Sequence, residues 1–228
     1  SVEYSNISEM FHLTRTPRER YNFTQLSTPP LRQYLADVVD YYKLALSSDE
    51  PYIKYISFYH IMEYFYDEVF KKKMVSDLRN KITSPDFTYK NDDKVYEIAK
   101  FVNNRMRMDS KSGLGDEAES LKFVLMEYVP IEELRARIAT IDPTAETYYQ
   151  TSKVVFCNAP SIAWSDVQGV YTQLCKRIYA TRNSLIHSKS GRKHELYHPY
   201  KDEPILRKEI PLVKAVAELI IINSSSVL

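Results

Sequence analysis

The sequence predicts an all-α protein, a helical bundle with antiparallel neighbours. Three observations carry this. Glycine is scarce, 4 of 228 residues, where an average chain carries about 7 % and a β-rich chain needs it for turns and bulges. Apolar residues recur at helical spacing through most of the chain. Helix start and stop signals punctuate those runs. With 44 % hydrophobic and 27 % charged residues, the chain can fill a core, which excludes disorder throughout.

Residues 1–28 show no sustained period and carry Pro17, Arg18 and Arg20. They read as an N-terminal arm, with residues 29–228 as one helical domain. The chain starts at Ser1 rather than Met, so the arm reads as the end of an upstream region of a longer protein. Thr28-Pro29-Pro30 predicts a helix start, Thr28 capping and Pro29 in the first turn. Leu31, Leu35, Val38, Val39, Tyr42 and Leu46 follow at helical spacing. Asp49 is placed to cap a second helix with Pro51 in its first turn. Ile53, Ile56, Tyr59, His60, Glu63, Tyr64, Asp67 and Phe70 carry it to Lys71-Lys72-Lys73, which suit a helix C-terminus by complementing the dipole.

Residues 74–160 read as a helical insertion. Val95, Ile98, Ala99, Val102 and Met106 predict one helix; Leu121, Val124, Leu125 and Tyr128 predict another, starting near Asp116. Pro130-Ile131 and Asp142-Pro143 predict two further starts. Ser110 to Gly115 is the loop candidate, and Val154 to Cys157 reads as a short extended piece.

In the last third, Ser165 and Gln168 form a capping-box pattern. Val167, Val170, Tyr171, Leu174, Ile178, Arg182, Leu185 and Ile186 then recur at helical spacing, up to Gly191. Tyr197 to Pro204 reads as a loop. Leu212 to Ile222 predicts a final apolar helix, either core or interface. Lys214 and Glu218 interrupt it, so it is too short and too charged to span a bilayer.

Net charge is +1, so no global field draws the chain to nucleic acid or anionic membrane. Cys157 and Cys175 form no CxxC, which excludes a disulfide scaffold and a multi-cysteine zinc site. The two thiols are compatible with a reducing cytosol and no signal peptide is visible, so a cytoplasmic chain without membrane partners is the expectation.

The informative stretch is Arg182-Asn183-Ser184-Leu185-Ile186-His187, which reads Arg-Asn-x-x-x-His near a helix C-terminus. Histidine titrates near neutrality and can move protons. Arginine offers a permanent charge and a planar fork for phosphate oxygens. Five residues turn about 140° around a helix, so Arg182 and His187 lie on different stripes. Asn183 and His187 share one, with Tyr179 a turn earlier.

The phrases "RIYATRNSLIHS" and "YISFYHIMEYFYDEV" resemble the HEPN superfamily, and within it the ApeA-type proteins of bacterial antiphage defence. The likeness covers about 30–72 and 165–222, with 74–160 as the insertion between the second and the motif-bearing helices. It implies a metal-independent endoribonuclease without cofactor, acting as a toxin-like effector in abortive infection. His187 would be the acid/base, Arg182 the phosphate-stabilising group and Asn183 the orienting group. It implies tRNA or mRNA as target, a homodimer whose two motifs line one cleft, and an upstream sensor domain or an antitoxin as partner. The alternative is a non-catalytic HEPN module for dimerisation or RNA binding. A third reading is a helical interaction domain with no RNA role.

Bland roles stand beside these. Arg182 could pair with a carboxylate such as Glu63 across the bundle, His187 could complement a helix dipole, and Asn183 could satisfy a backbone group. Glu63, on a polar stripe with His60 and Asp67, could support Arg182 or face water; Tyr179 could flank the cleft. Residues 176–209 hold nine Lys/Arg against four acids. Among them Lys189, Arg192 and Lys193, with Tyr197 and Tyr200 interleaved, suit RNA phosphates and bases or form a solvated loop.

Overall fold

The computed structural model describes residues 32–111, 115–186 and 196–227. Among the described residues the fold is all-α but for one short two-stranded pairing and an isolated bridge. Its helices are α1 (Ala36–Ser47), α2 (Pro51–Glu63), α3 (Tyr66–Ile82), α4 (Asp92–Lys111), α5 (Gly115–Tyr128), α6 (Ile131–Ile141), α7 (Ala145–Thr151), α8 (Val170–Ile186) and α9 (Pro199–Asn223). Strands β1 (Arg32–Gln33) and β2 (Ser226–Val227) pair antiparallel, joining Arg32 to Val227.

The core is organised around α9, which packs on α2 and α6. From Leu212 to Ile220 all but Glu218 are buried, as expected of a helix apolar on every side. The Leu212–Ile222 run is therefore core. Lys214 reaches Glu218 at 3.9 Å and keeps its charge near the surface. α2 presents Tyr55, Phe58, Tyr59, Ile61 and Met62 to the same core, and α5 adds Leu121, Val124 and Leu125. Residues 115–160 share this core. Residues 92–104 of α4 add no buried side chain to it; the helix rests on α3 and α5.

Several boundaries differ from the sequence expectation. Thr28 to Leu31 lie outside the described residues, and α1 begins at Ala36. The preceding backbone is extended because Arg32 Nη1 donates to Ile222 O at 3.1 Å and Ser225 Oγ at 3.0 Å, fastening it to the end of α9. Glu50, not Asp49, precedes α2. The expected second helix is broken at Tyr64–Phe65. Phe65 turns inward, 1 % exposed, against Tyr128 at 5.2 Å between ring centres. Lys71-Lys72-Lys73 consequently sit inside α3, where Lys72 pairs with Glu127 and Lys73 with Asp77 at 2.9 Å.

Ser110 and Lys111 are helical and Gly115 opens α5; residues 112–114 lie outside the described set. Val154 makes an isolated bridge with Ala159 around a 3-10 turn at Val155–Cys157. Ser165 does not cap α8. The helix starts at Val170, and Asp166 Oδ1 accepts the Gly169 N–H at 2.9 Å. A Cβ on Gly169 would fall 2.0 Å from that carboxylate, so a larger residue there would push the exposed Asp166 side chain aside and cost this bond.

Tyr197–Pro204 is not a loop: α9 begins at Pro199, and Gly191 lies outside the described residues. Asp202 Oδ2 accepts the His198 N–H at 2.9 Å, Pro199 occupies the first helical position, and Pro204 faces water. Pro211 falls in mid-helix, where a bond is lost. The Tyr149 hydroxyl is spliced in beside it, donating to Lys208 O at 2.7 Å and accepting from Leu212 N at 3.0 Å.

Candidate functional site

α8 and α2 are registered by the Tyr55 hydroxyl, which donates to Ile178 O at 3.0 Å. Further along both helices, Arg182 meets Tyr59 and Glu63. Ile178, Thr181 and Leu185 bury the inner face of α8, which leaves Arg182 on its flank, 13 % exposed.

The guanidinium is held from several directions. Nη2 donates to Glu63 Oε1 at 2.8 Å. Nη1 donates to Glu117 Oε2 at 3.3 Å and to Asn183 Oδ1 at 3.1 Å. Its carbon lies 5.2 Å from the Tyr59 ring centre, a cation–π distance. Nε has no partner among the described residues. Glu63 is anchored again, since His60 Nδ1 lies 2.6 Å from Oε2 and donates to it. The Tyr66 hydroxyl donates to that of Tyr59 at 2.8 Å, and the Tyr179 hydroxyl lies 3.5 Å from Glu117 Oε2.

Burial pushes Glu63 up, but the His60 hydrogen bond and the Arg182 charge outweigh it and hold the carboxyl below its usual range. Burial raises Tyr59 and Tyr66 well above their ordinary range, and raises Tyr179 as well. All three stay hydroxyls at neutral pH. Cys157 and Cys175 are buried, and burial pushes both thiols to about 11, so neither is a ready nucleophile. Among the described residues no group of three or more His, Cys, Asp or Glu is placed to hold a metal.

Four of the residues singled out by sequence therefore meet: Arg182, Asn183, Glu63 and Tyr179. Arg182 does make the bundle-crossing pair with Glu63. His187, Lys189, Arg192 and Lys193 lie outside the described residues. The basic segment needs a correction at Arg177, which is a core residue, 0 % exposed and bidentate to Glu209 at 2.8 Å through both Nε and Nη2. Arg207 is paired with Glu203 as well, so both come off the count of cations open to a phosphate. Sequence reasoning missed Glu117 and Tyr59. Tyr59 sits one turn before Glu63 and could have been found by spacing. Glu117 is 65 positions from its partner, and no local signal marks it.

No family model, curated protein or solved structure matches this chain. Among the described residues no helix is long and apolar enough to cross a membrane.

Proposed function

We propose that the chain is a HEPN-type, metal-independent endoribonuclease acting as a toxin-like effector in antiphage defence. The observation that carries the reading is the anchored Arg182–Asn183 pair on the last turns of α8, with His187 next in sequence after the helix's last residue, Ile186. The defence role rests on the sequence resemblance, and the cytoplasmic location on the two free thiols.

In this mechanism His187 takes the proton from the RNA 2′-hydroxyl as its oxygen bonds to phosphorus. The bond from phosphorus to the 5′-oxygen breaks, and that oxygen leaves with a proton given by a His187 imidazolium, which closes the proton balance. Arg182 meets the charge that builds on the phosphate oxygens, and Asn183 holds the guanidinium fork. One His and one Arg make a thin site, so a two-fold pair of chains, each repeating these groups, is part of the proposal.

Pure protein incubated with tRNA and mRNA in EDTA is expected to cleave and to leave 2′,3′-cyclic phosphate and 5′-hydroxyl ends. His187→Ala and Arg182→Ala are expected to stop cleavage. Strict Mg²⁺ dependence with 5′-phosphate ends, or normal cleavage by both variants, overturns the assignment. One observation favours a non-catalytic HEPN module instead: both terminal nitrogens of Arg182 are already matched to carboxylates. RNA retention without cleavage in the same assay would select that reading.

A further inference from the structure

Glu63 and Glu117 hold Arg182 differently. Glu63 makes a 2.8 Å bond, is tied again through His60 at 2.6 Å, and has 24 % of its side chain exposed. Glu117 stands 3.3 Å from Arg182 Nη1, beyond the usual range for such a bond, and is 35 % exposed. The same oxygen, Oε2, also faces the Tyr179 hydroxyl at 3.5 Å. Tyr179 and Arg182 stand three apart on α8 and so are neighbours on its surface. Two donors from one helix thus converge on a single anionic oxygen. A phosphate oxygen is the same kind of acceptor, and the guanidinium fork fits it as well as a carboxylate.

We propose that Glu117 occupies a phosphate seat formed by Arg182 Nη1 and the Tyr179 hydroxyl, and that a phosphodiester of a bound polynucleotide takes that seat when the carboxylate swings out. The inference rests on the reading of Arg182 as a phosphate-facing group. With Glu117 in place the guanidinium lies between two carboxylates, and the site repels phosphate. With Glu117 displaced, Glu63 remains to balance Arg182. Glu63 is the fixed partner and Glu117 the exchangeable one, so the chain carries its own competitor for substrate.

The test uses a fluorescent 2′-O-methyl oligoribonucleotide, which lacks the attacking hydroxyl and therefore reports binding alone. Glu117→Gln is expected to bind it about tenfold more tightly than the unaltered chain at low salt, since one like charge near the seat is gone; Glu117→Ala should move the same way. Glu119→Gln, two positions along α5 and on another stripe, removes an equal charge and should change binding little. Adding Arg182→Ala to Glu117→Gln should abolish the gain. Equal binding by Glu117→Gln and the unaltered chain overturns the seat. So does a gain shared by Glu119→Gln, a gain that survives loss of Arg182, or no binding by any variant. Cleavage of unmodified RNA, measured in parallel, separates the two readings. A Glu117-dependent gain without cleavage keeps the seat and removes the nuclease. Cleavage that needs Arg182 and His187, with no such gain, keeps the nuclease and removes the seat.

Discussion

Glu209→Gln tests the largest electrostatic commitment in the core. Arg177 and Glu209 are 0 % and 1 % exposed and meet through two 2.8 Å bonds. Arg177 Nη1 also donates to Ser152 O at 2.7 Å and Pro160 O at 2.9 Å. Its guanidinium lies 5.3 and 5.1 Å from the ring centres of Tyr148 and Tyr149. Glutamine keeps the shape and deletes the charge, leaving a cation in a dry site with no counter-charge. Breaking a buried pair this way costs about 3–5 kcal/mol. At roughly 2–4 °C per kcal/mol for a chain of this size, the melting temperature should fall by about 6–20 °C. Arg177→Met is expected to cost at least as much, since it strands Glu209 and two carbonyls together. The double variant Arg177→Met/Glu209→Gln combines the two single changes, removes both charges and leaves the carbonyls at Ser152 and Pro160 unmatched, at about 1–3 kcal/mol each. Its loss, about 2–6 kcal/mol, should therefore fall short of the sum of the two single losses, about 6–10 kcal/mol or more, the signature of coupled neighbours. Urea unfolding followed by far-UV circular dichroism reads all four proteins. A Glu209→Gln loss under about 1 kcal/mol, or single losses that simply add, would refute the reasoning.

Tyr149→Phe removes the hydroxyl spliced into α9, stranding Lys208 O and Leu212 N, and should cost about 2–4 kcal/mol by urea unfolding; an unchanged midpoint would show the hydroxyl to be idle. Folding holds the Glu63 carboxyl below its usual range, so it favours the ionised form. Its contribution is present above the unfolded-state value of about 4.3 and is lost as pH falls through the lower folded-state value. Glu63→Gln should consequently show a shallower loss of stability between about pH 5 and 3 than the unaltered chain; parallel slopes in acid titrations would rule this out. Light scattering at micromolar concentration is expected to return twice the 26.7 kDa of one chain. A monomer that cleaves RNA at full specific activity on dilution would count against a two-chain site.

What the sequence disclosed follows from how local each cause is. The Leu212–Ile222 run is apolar on all sides, and the starts of α5 and α6 carry their own signals, so these helices are readable without partners. The break at Tyr64–Phe65 has no proline or glycine to mark it; it comes from Phe65 packing on Tyr128, a contact across 63 positions. Prolines at 199, 204 and 211 argue for a loop by local rules. They are tolerated because one opens the helix, one faces water and one is bridged by Tyr149. At the site, Arg182, Asn183 and Tyr179 share α8, and Glu63 falls on the polar stripe facing it, so spacing alone brings them into view. Arg177 looks like another surface cation until Glu209, 32 positions on, is placed against it.

The seating of α4 gives Arg182 a mechanical address. α4 rests on α3 and α5 and adds nothing buried to the core among residues 92–104. α3 begins three residues beyond Glu63, and α5 carries Glu117 in its first turn. The two carboxylates that clasp the guanidinium thus sit at the roots of the two helices that carry this outlying arm. A pull on α4 need travel only along those helices to loosen one side of the clasp, while the Arg177–Glu209 bolt, little more than a turn back on α8, stays shut.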